Sequence, residues 1–371
     1  MLNKKMYKKF DYILLIIILA LMSIGVVGLM SATQGNMADV YKQLTWVVFS
    51  IVGMVIIATI DYEMLGSYSF RIYLSIMILL IAVLFTRPIN GARSWFDFGP
   101  FSIQPGELAK IFLIITLAKH IDKIVSKDEK GINKPKNLIL VFLHAGLPIV
   151  LIMIQPDFGT AVVIIAITLA MIFLGNISYK YVIPVVLVGI VSIFLLRYLI
   201  LIHNMDLFFN HYQAERIRVF FDPQIDPRGS GYNVLQAQMA IGSGQLNGMG
   251  LFKGTQTQLG SIPAKTTDFI FAVIGEELGF VFGAIVVLLF VLLLIKCVSI
   301  AKMSKDFHGS LIAVGVTTMI GIHVLVNIGM NIGLVPVTGI PLPFISYGGS
   351  SFLTNMMGIG LIMSVAAKAN K

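Results

Sequence analysis

A lone carboxylate, Asp268, stands where a long polar segment gives way to an apolar run, in the sequence KGTQTQLGSIPAKTTDFIF at 253–271. A carboxylate near the membrane interior is costly unless it has a partner or a function. One function is to take a proton from an attacking hydroxyl group, so we predict that Asp268 is catalytic. The alternative is an N-cap of the helix that follows.

Two further carboxylates, Glu276 and Glu277, follow Asp268 on the same predicted helix. At 100° per residue they point about 80° and 180° away from Asp268. The spacing therefore predicts a single base and not the carboxylate pair of a glycosidase.

Charged residues at the edges of other apolar runs are candidates for substrate binding. Glu107 and Lys110 are three residues apart and can pair on one helix face. They either neutralise each other as a buried structural pair or form the polar wall of a cavity. Asp157 follows a Gln-Pro dipeptide and can cap the next helix, line the same cavity, or do both.

Basic and aromatic residues in the loops suit an anionic lipid headgroup. In the loop 87–110, Arg93 can bind a phosphate through two hydrogen bonds. Trp95 suits the membrane interface, although a simple membrane anchor explains it equally well. Arg216 and Lys253 lie in the long loop 203–267 and would favour the same headgroup, their alternative being ordinary solvated charge.

Composition sets the class of protein that must position these residues. The chain has 371 residues, of which 57% are hydrophobic and 12% charged, about half the charged fraction of a soluble domain. This predicts an all-α polytopic membrane protein with one membrane domain over 1–371. The net charge of +9 is spread over short loops and does not indicate nucleic-acid binding. His323 has no Cys or second His nearby, so no metal site is predicted.

The apolar runs predict about ten transmembrane helices. They lie near 11–32, 44–61, 70–87, 106–122, 138–155, 158–175, 181–202, 268–296, 309–334 and 350–367. With both termini inside, 17 of the 27 Lys and Arg residues fall in inner segments, as the positive-inside rule requires. We therefore predict an N-in, C-in protein whose long loop 203–267, between spans 7 and 8, is extracellular. Prolines and glycines at 336–349 predict a re-entrant segment before span 10.

Six ordered motifs resemble the SEDS family of bacterial cell-wall proteins, in its RodA branch, over essentially the whole chain. They are GARSW at 91–95, QPGELAK at 104–110, QPDFGTA at 155–161, GYNVLQAQMAIGSG at 231–244, KGTQTQLGSIPAKTTDFIFAVIGEELGF at 253–280 and NIGM…GLVPVTGIPLPFISYGGSS at 327–351. The chain departs from the family pattern at Ser94, Gly106 and Thr266, where a basic residue, Ser and His respectively are common. The change at Thr266 removes a residue that could have shared a proton with Asp268.

The resemblance implies a peptidoglycan glycosyltransferase of the bacterial cytoplasmic membrane. Such an enzyme polymerises lipid II into glycan strands at the outer face during cell elongation and shape maintenance. It implies partners as well: a glycan chain on undecaprenyl pyrophosphate, a class B penicillin-binding protein that acts as transpeptidase, and other membrane proteins of the elongation complex. The family's essential aspartate matches Asp268, and its cavity residues match Glu107, Lys110 and Asp157.

The expected chemistry needs positive charge at the departing pyrophosphate. Arg93, Lys110, Arg216 or Lys253 would supply it, and a divalent cation such as Mg²⁺ or Mn²⁺ is an open addition. Two other functions remain as alternatives: a lipid II flippase or other transporter, and a non-catalytic scaffold for a cell-wall synthase. No inverted repeat of the transporter kind is visible between the two halves of the sequence.

Overall fold

The chain folds into a bundle of helices with almost no other regular structure. The computed structural model describes residues 11–89, 92–99, 101–128, 130–184, 211–226 and 229–369, together with residues 187, 188, 191, 195 and 198. The helices over these residues are α1 (Tyr12–Ala32), α2 (Met37–Thr59), α3 (Tyr62–Ser67), α4 (Ser69–Ala82), α5 (Pro105–Lys127), α6 (Pro135–Ile154), α7 (Phe158–Leu174), α8 (His211–Phe221), α9 (Ser230–Ser243), α10 (Thr255–Gln258), α11 (Ile270–Met303), α12 (Phe307–Asn331) and α13 (Gly349–Ala369). Two short strands, β1 (Phe96–Asp97) and β2 (Ser102–Ile103), pair antiparallel before α5.

Helix length and composition confirm a multi-pass membrane protein. Six described helices, α1, α2, α6, α11, α12 and α13, are long and apolar enough to cross a bilayer, and two shorter apolar helices lie at Ser69–Phe85 and Phe158–Leu174. Helix α5 covers the predicted fourth span. The predicted seventh span at 181–202 and the start of the loop 203–267 lie largely outside the described residues, so the count of ten stays a prediction.

Helices α12 and α13 form the interior of the bundle. Their most apolar windows are 61% and 78% buried, against 22% for α2, which therefore lies at the periphery of the bundle. Helix α12 packs against α5, α7, α11 and α13. The polar side chains that α12 carries, His323, Asn327 and Asn331, must consequently find partners inside the protein.

Glycine permits close approach between elements at several positions, of which Gly360 and Gly25 are examples. A Cβ atom on Gly360 of α13 would lie 2.6 Å from the carbonyl oxygen of Met54 in α2. One on Gly25 of α1 would lie 2.7 Å from the Cα atom of Ile345. Small residues of this kind let helix backbones come together in membranes.

The predicted eighth span begins later and is longer than expected, and it is broken once. Helix α11 starts at Ile270 instead of 268, and Gly279 interrupts it with φ 79° and ψ −178°. The amide of Phe280 that the break frees donates to the carbonyl oxygen of Gln245 at 2.8 Å. Asp268 thus lies in the turn before the helix and not inside it.

The segment 332–348 between α12 and α13 has no regular structure, yet much of it is buried. Ile340, Leu342, Phe344 and Ile345 are almost completely inaccessible. Irregular backbone survives at membrane depth only when protein surrounds it or when it lines a cavity.

Candidate active site

Two asparagines of α12 hold the backbone of Asp268. The side-chain amides of Asn327 and Asn331 each donate to the Asp268 carbonyl oxygen at 3.0 Å. Asn327 also donates to the carbonyl of Ile340 at 2.8 Å. The same two side chains therefore tie the aspartate to α12 and to the segment 332–348.

The turn before Asp268 is fixed to the segment 332–348 as well. The hydroxyl of Ser346 donates to the carbonyl of Thr267 at 2.6 Å. The amide of Tyr347 donates to the carbonyl of Thr266 at 2.9 Å. Each of these contacts is made to a backbone carbonyl of the turn, so none of them uses the Asp268 carboxylate.

The carboxylate of Asp268 faces a guanidinium across a glycine. A Cβ atom on Gly339, whose φ is +77°, would lie 3.5 Å from Asp268 Oδ2 and 4.0 Å from Arg216 Nη1. Arg216 Nη1 is itself held by the carbonyl of Val337 at 3.0 Å. Glycine at 339 therefore keeps the space between the two charges free of a side chain.

Burial dominates the ionisation of Asp268. It raises the pKa of the carboxyl group, while a hydrogen bond from Thr267 and the charge of Arg216 act in the opposite direction. The N-cap alternative is wrong, because the capping residue of α11 is Phe269 and no side chain caps this helix. A carboxylate held at a raised pKa beside one cation is suited to accept a proton.

The predicted Glu107–Lys110 pair forms, and a third residue joins it. Lys110 Nζ lies 2.7 Å from Glu107 Oε1 and 2.9 Å from His323 Nε2. Lys110 and His323 are each 1% exposed. Because Glu107 and Lys110 are on α5 and His323 is on α12, the group holds these two helices together in the bundle interior.

Asp157 caps α7 as the sequence predicted. Its Oδ1 accepts the amide of Thr160 at 3.0 Å, and its Oδ2 accepts the side-chain amide of Gln104 at 2.7 Å. Burial raises the pKa of this carboxyl group, and the hydrogen bonds from Thr160 oppose the rise. A Cβ atom on Gly106 would lie 3.6 Å from Asp157 Oδ2, so this carboxylate and the start of α5 are in contact.

The Lys110 group and the Asp268 turn are neighbours along α12. His323, which touches Lys110, is four residues before Asn327, which holds Asp268, and four residues of helix rise about 6 Å. The start of α7 approaches the same place, since a Cβ atom on Gly159 would lie 3.1 Å from the carbonyl of Thr338.

The other predicted binding residues lie at the surface. Arg93 is exposed and donates to the carbonyl of Leu84 at 3.4 Å, Trp95 is half-buried, and Lys253 is exposed. Over the described residues, no hydrogen bond or ion pair joins Arg93, Trp95 or Lys253 to Asp268. Likewise, within the part of the chain that the structure describes, no group of three or more His, Cys, Asp or Glu side chains is placed to hold a metal ion.

Glu276 and Glu277 are buried and bind the segment 252–258. Glu276 accepts the amides of Gln256 and Thr257 at 2.7 and 2.9 Å and the Thr257 hydroxyl at 2.6 Å. Glu277 accepts the side-chain amide of Gln258 at 3.0 Å. Both carboxylates are thus used by the scaffold.

Sequence reasoning missed some members of the site. Gln104, Asn331 and the contact of His323 with Lys110 were not predicted, although polar residues inside an apolar run are a usable signal. His323 bonds to Lys110 of α5, whereas Asn327 bonds to Asp268 and Ile340, neither of which lies in a helix.

Comparison with known proteins places this architecture in a family. The family model described as cell cycle protein, which covers FtsW, RodA and SpoVE, matches residues 8–371. This chain belongs to the SEDS family. The peptidoglycan glycosyltransferase MrdB of Escherichia coli K12 is 35% identical over 356 residues, which are 96% of this chain and 93% of MrdB. The peptidoglycan glycosyltransferase RodA of Treponema pallidum is 32% identical and covers 97% of this chain and 98% of its own length.

Solved structures share the fold of this SEDS chain. A chain from a peptidoglycan synthase complex, described as coordinating polymerization and crosslinking, has a TM-score of 0.82 and 29% identity over 98% of this chain and 99% of its own. The rod shape determining protein RodA of Thermus thermophilus has a TM-score of 0.72 and 26% identity over 98% of both chains.

Proposed function

We propose that this SEDS chain is a peptidoglycan glycosyltransferase that polymerises lipid II during cell elongation. The observation that carries the proposal is Asp268, a carboxylate whose backbone is locked by Asn327 and Asn331 while its side chain faces Arg216. Two relatives that match nearly the whole chain are named peptidoglycan glycosyltransferases.

In the proposed reaction Asp268 is the general base. The 4-hydroxyl oxygen of lipid II attacks the anomeric carbon of a glycan chain held on undecaprenyl pyrophosphate. Asp268 takes the hydroxyl proton as the new glycosidic bond forms, and the bond to pyrophosphate breaks with its electron pair on the leaving oxygen. Asp268 then gives the proton to solvent. The raised pKa of the carboxyl group strengthens it as a base.

Arg216 is a cation whose charge acts on this carboxylate, and we assign it the role of stabilising the leaving pyrophosphate. A divalent cation, Mg²⁺ or Mn²⁺, would add to this charge and stays a prediction. Three predicted binding residues lie at the surface and would contact lipid headgroups at the edge of the active site: Lys253, Arg93 and Trp95.

In this proposal three buried residues, Glu107, Lys110 and Asp157, act mainly by positioning the helices around the site. Lys110 is buried between Glu107 and His323, and Asp157 is used by Gln104 and Thr160. They fix the ends of α5 and α7 against α12, which in turn holds Asp268. Their direct contact with substrate stays a prediction.

The orientation follows from the same proposal. Ten spans with both termini inside would put Asp268, the loop 203–267 and the re-entrant segment 332–348 at the outer face, where lipid II is polymerised. A class B penicillin-binding protein and other elongation proteins would work beside the chain, and the likeness to a chain of a synthase complex supports such a partner.

The test is polymerisation of lipid II by the purified chain, alone and with its class B penicillin-binding protein, comparing wild type with Asp268→Asn. Glycan strands from wild type and none from the folded variant would support the proposal. Equal product from both would remove Asp268 from the chemistry. No product from wild type under either condition, together with movement of lipid II across vesicles, would favour the flippase.

A further inference from the structure

A second polar region lies on α5, far from Asp268. A cavity of about 680 Å³ opens between α4, α5 and α6, and its lining includes Phe70, Tyr73, His120, Lys123 and His144. Lys110 and Lys123 are thirteen residues apart on α5, which corresponds to about 20 Å of helix. The cavity is therefore separate from the candidate active site, and its volume is in the range of ligand pockets.

The floor of this cavity is built from ordered side chains. The Tyr73 hydroxyl donates to the backbone carbonyl of His144 at 2.9 Å, and the two rings stack with centroids 4.3 Å apart. His144 Nε2 lies 3.0 Å from the hydroxyl of Thr116, and the His120 ring meets the His144 ring edge-on at 5.0 Å. The floor thus joins all three helices.

The mouth of the cavity is positively charged. Lys119, Lys123 and Lys127 line it, each one helical turn, or about 6 Å, from the next. Lys119 is paired with Asp122 at 3.5 Å. Across the described part of the chain, no ion pair is recorded for Lys123 or Lys127, and both are exposed.

The acidic residue at the mouth is already engaged. The Asp128 carboxylate accepts from Lys134 Nζ and from the side-chain amide of Asn137, both at 3.1 Å. It is therefore held by groups outside the lysine row, and among the described residues no carboxylate forms an ion pair with Lys123 or Lys127. An anion is the ligand that this mouth fits.

We propose that this cavity binds the headgroup of an anionic phospholipid. Lysines at the mouth of a pocket between membrane helices are suited to a lipid phosphate. The lining also includes two apolar residues, Phe70 and Ile124, and Phe70 is 76% exposed. The acyl chains of the lipid can therefore remain in the bilayer while the headgroup occupies the cavity. In the N-in orientation proposed above, the occupant comes from the inner leaflet, on the opposite side from lipid II polymerisation.

The test is lipid binding to the purified full-length chain, measured by native mass spectrometry. The protein is titrated with phosphatidylglycerol, phosphatidylcholine or glycerol 3-phosphate. The double variant Lys123→Gln/Lys127→Gln removes two charges from the mouth. Lys302→Gln/Lys305→Gln is the matched control, because it removes two exposed lysines at the end of α11, away from the cavity lining.

We expect wild type to retain phosphatidylglycerol in preference to phosphatidylcholine. The mouth variant should lose affinity for phosphatidylglycerol about tenfold or more, and the control should stay within about twofold of wild type. Equal affinity for the two lipids, or equal loss in both variants, would overturn the proposal. Glycerol 3-phosphate binding as tightly as phosphatidylglycerol would also overturn it, in favour of a soluble phosphate. The readout is independent of polymerisation, so its failure is distinct from a failure of the proposed function.

Discussion

Asp268 and Glu276 are two carboxylates at the start of α11 with opposite surroundings. Three donors within 3.0 Å saturate the Glu276 carboxylate, and its side chain is 0% exposed. Asp268 is held by its backbone carbonyl, and its carboxylate faces Arg216 across Gly339. The Glu276 carboxylate accepts from three groups of its own chain and is part of the scaffold. The Asp268 carboxylate accepts a hydrogen bond from Thr267 and keeps acceptor capacity for a substrate proton.

Among the substitutions that test this comparison, Asp268→Asn should have the largest effect on the rate of polymerisation. Asp268→Asn keeps the shape and the carbonyl that binds Asn327 and Asn331, but it removes the base. General base catalysis contributes about 10²–10⁴ in rate, so lipid II polymerisation should fall by about a thousandfold with little change in thermal unfolding. A variant that retains about a tenth of wild-type turnover would contradict this role.

Lys110→Met tests the buried group that positions α12. It leaves Glu107 inside the bundle without its cation, which costs about 3–5 kcal/mol of stability. We expect a lower thermal midpoint in detergent and a parallel loss of polymerisation. The double variant Glu107→Gln/Lys110→Met should recover most of the stability, and a double variant less stable than Lys110→Met would argue against the ion pair.

Glu276→Gln tests the saturated member of the comparison. An amide presents a donor to the amides of Gln256 and Thr257, so the free energy of unfolding should fall by about 1.5–3 kcal/mol. Turnover per folded molecule should stay near wild type. The matched control is Glu63→Gln, since Glu63 is exposed and pairs with Lys368 at 2.7 Å, and exposed pairs contribute about 1 kcal/mol or less. A thousandfold loss of turnover in folded Glu276→Gln would contradict the distinction between Glu276 as a scaffold residue and Asp268 as the base.

The smallest effect is expected at Lys253. The Lys253 side chain is exposed, at the edge of the proposed active site. Lys253→Gln should therefore raise KM for lipid II about two- to threefold and leave kcat unchanged. Steady-state kinetics at fixed ionic strength measures both constants. A large fall in kcat would mean that Lys253 reaches the leaving group in the catalytic state.

Local spacing was enough to predict several of these features. Apolar runs predicted the helices, the i, i+3 spacing predicted the Glu107–Lys110 pair, and the residue type predicted the Asp157 cap. Each depends on residues that are close in sequence. The geometry of one helix decides such contacts.

Contacts between distant residues could not be predicted in this way. Lys110 and His323 are 213 residues apart, and Asp268 and Asn327 are 59 apart, so they depend on how helices are rotated and shifted against one another. The N-cap interpretation of Asp268 failed for a related reason. The amide of Phe269 bonds to the carbonyl of Ala264 at 3.2 Å, which closes a turn and delays the start of α11.

The most direct test of Asp268 as the base is the pH dependence of polymerisation by wild type and Arg216→Gln. Turnover needs the ionised carboxylate, so the rate should fall as the pH drops through the pKa of Asp268, which burial raises above its ordinary value. Arg216 stabilises the ionised form, and removing its charge raises this pKa further. We predict that the acid limb of the profile lies at higher pH in Arg216→Gln than in wild type. An acid limb at the same pH in both proteins would contradict the assignment of Asp268 as the proton acceptor.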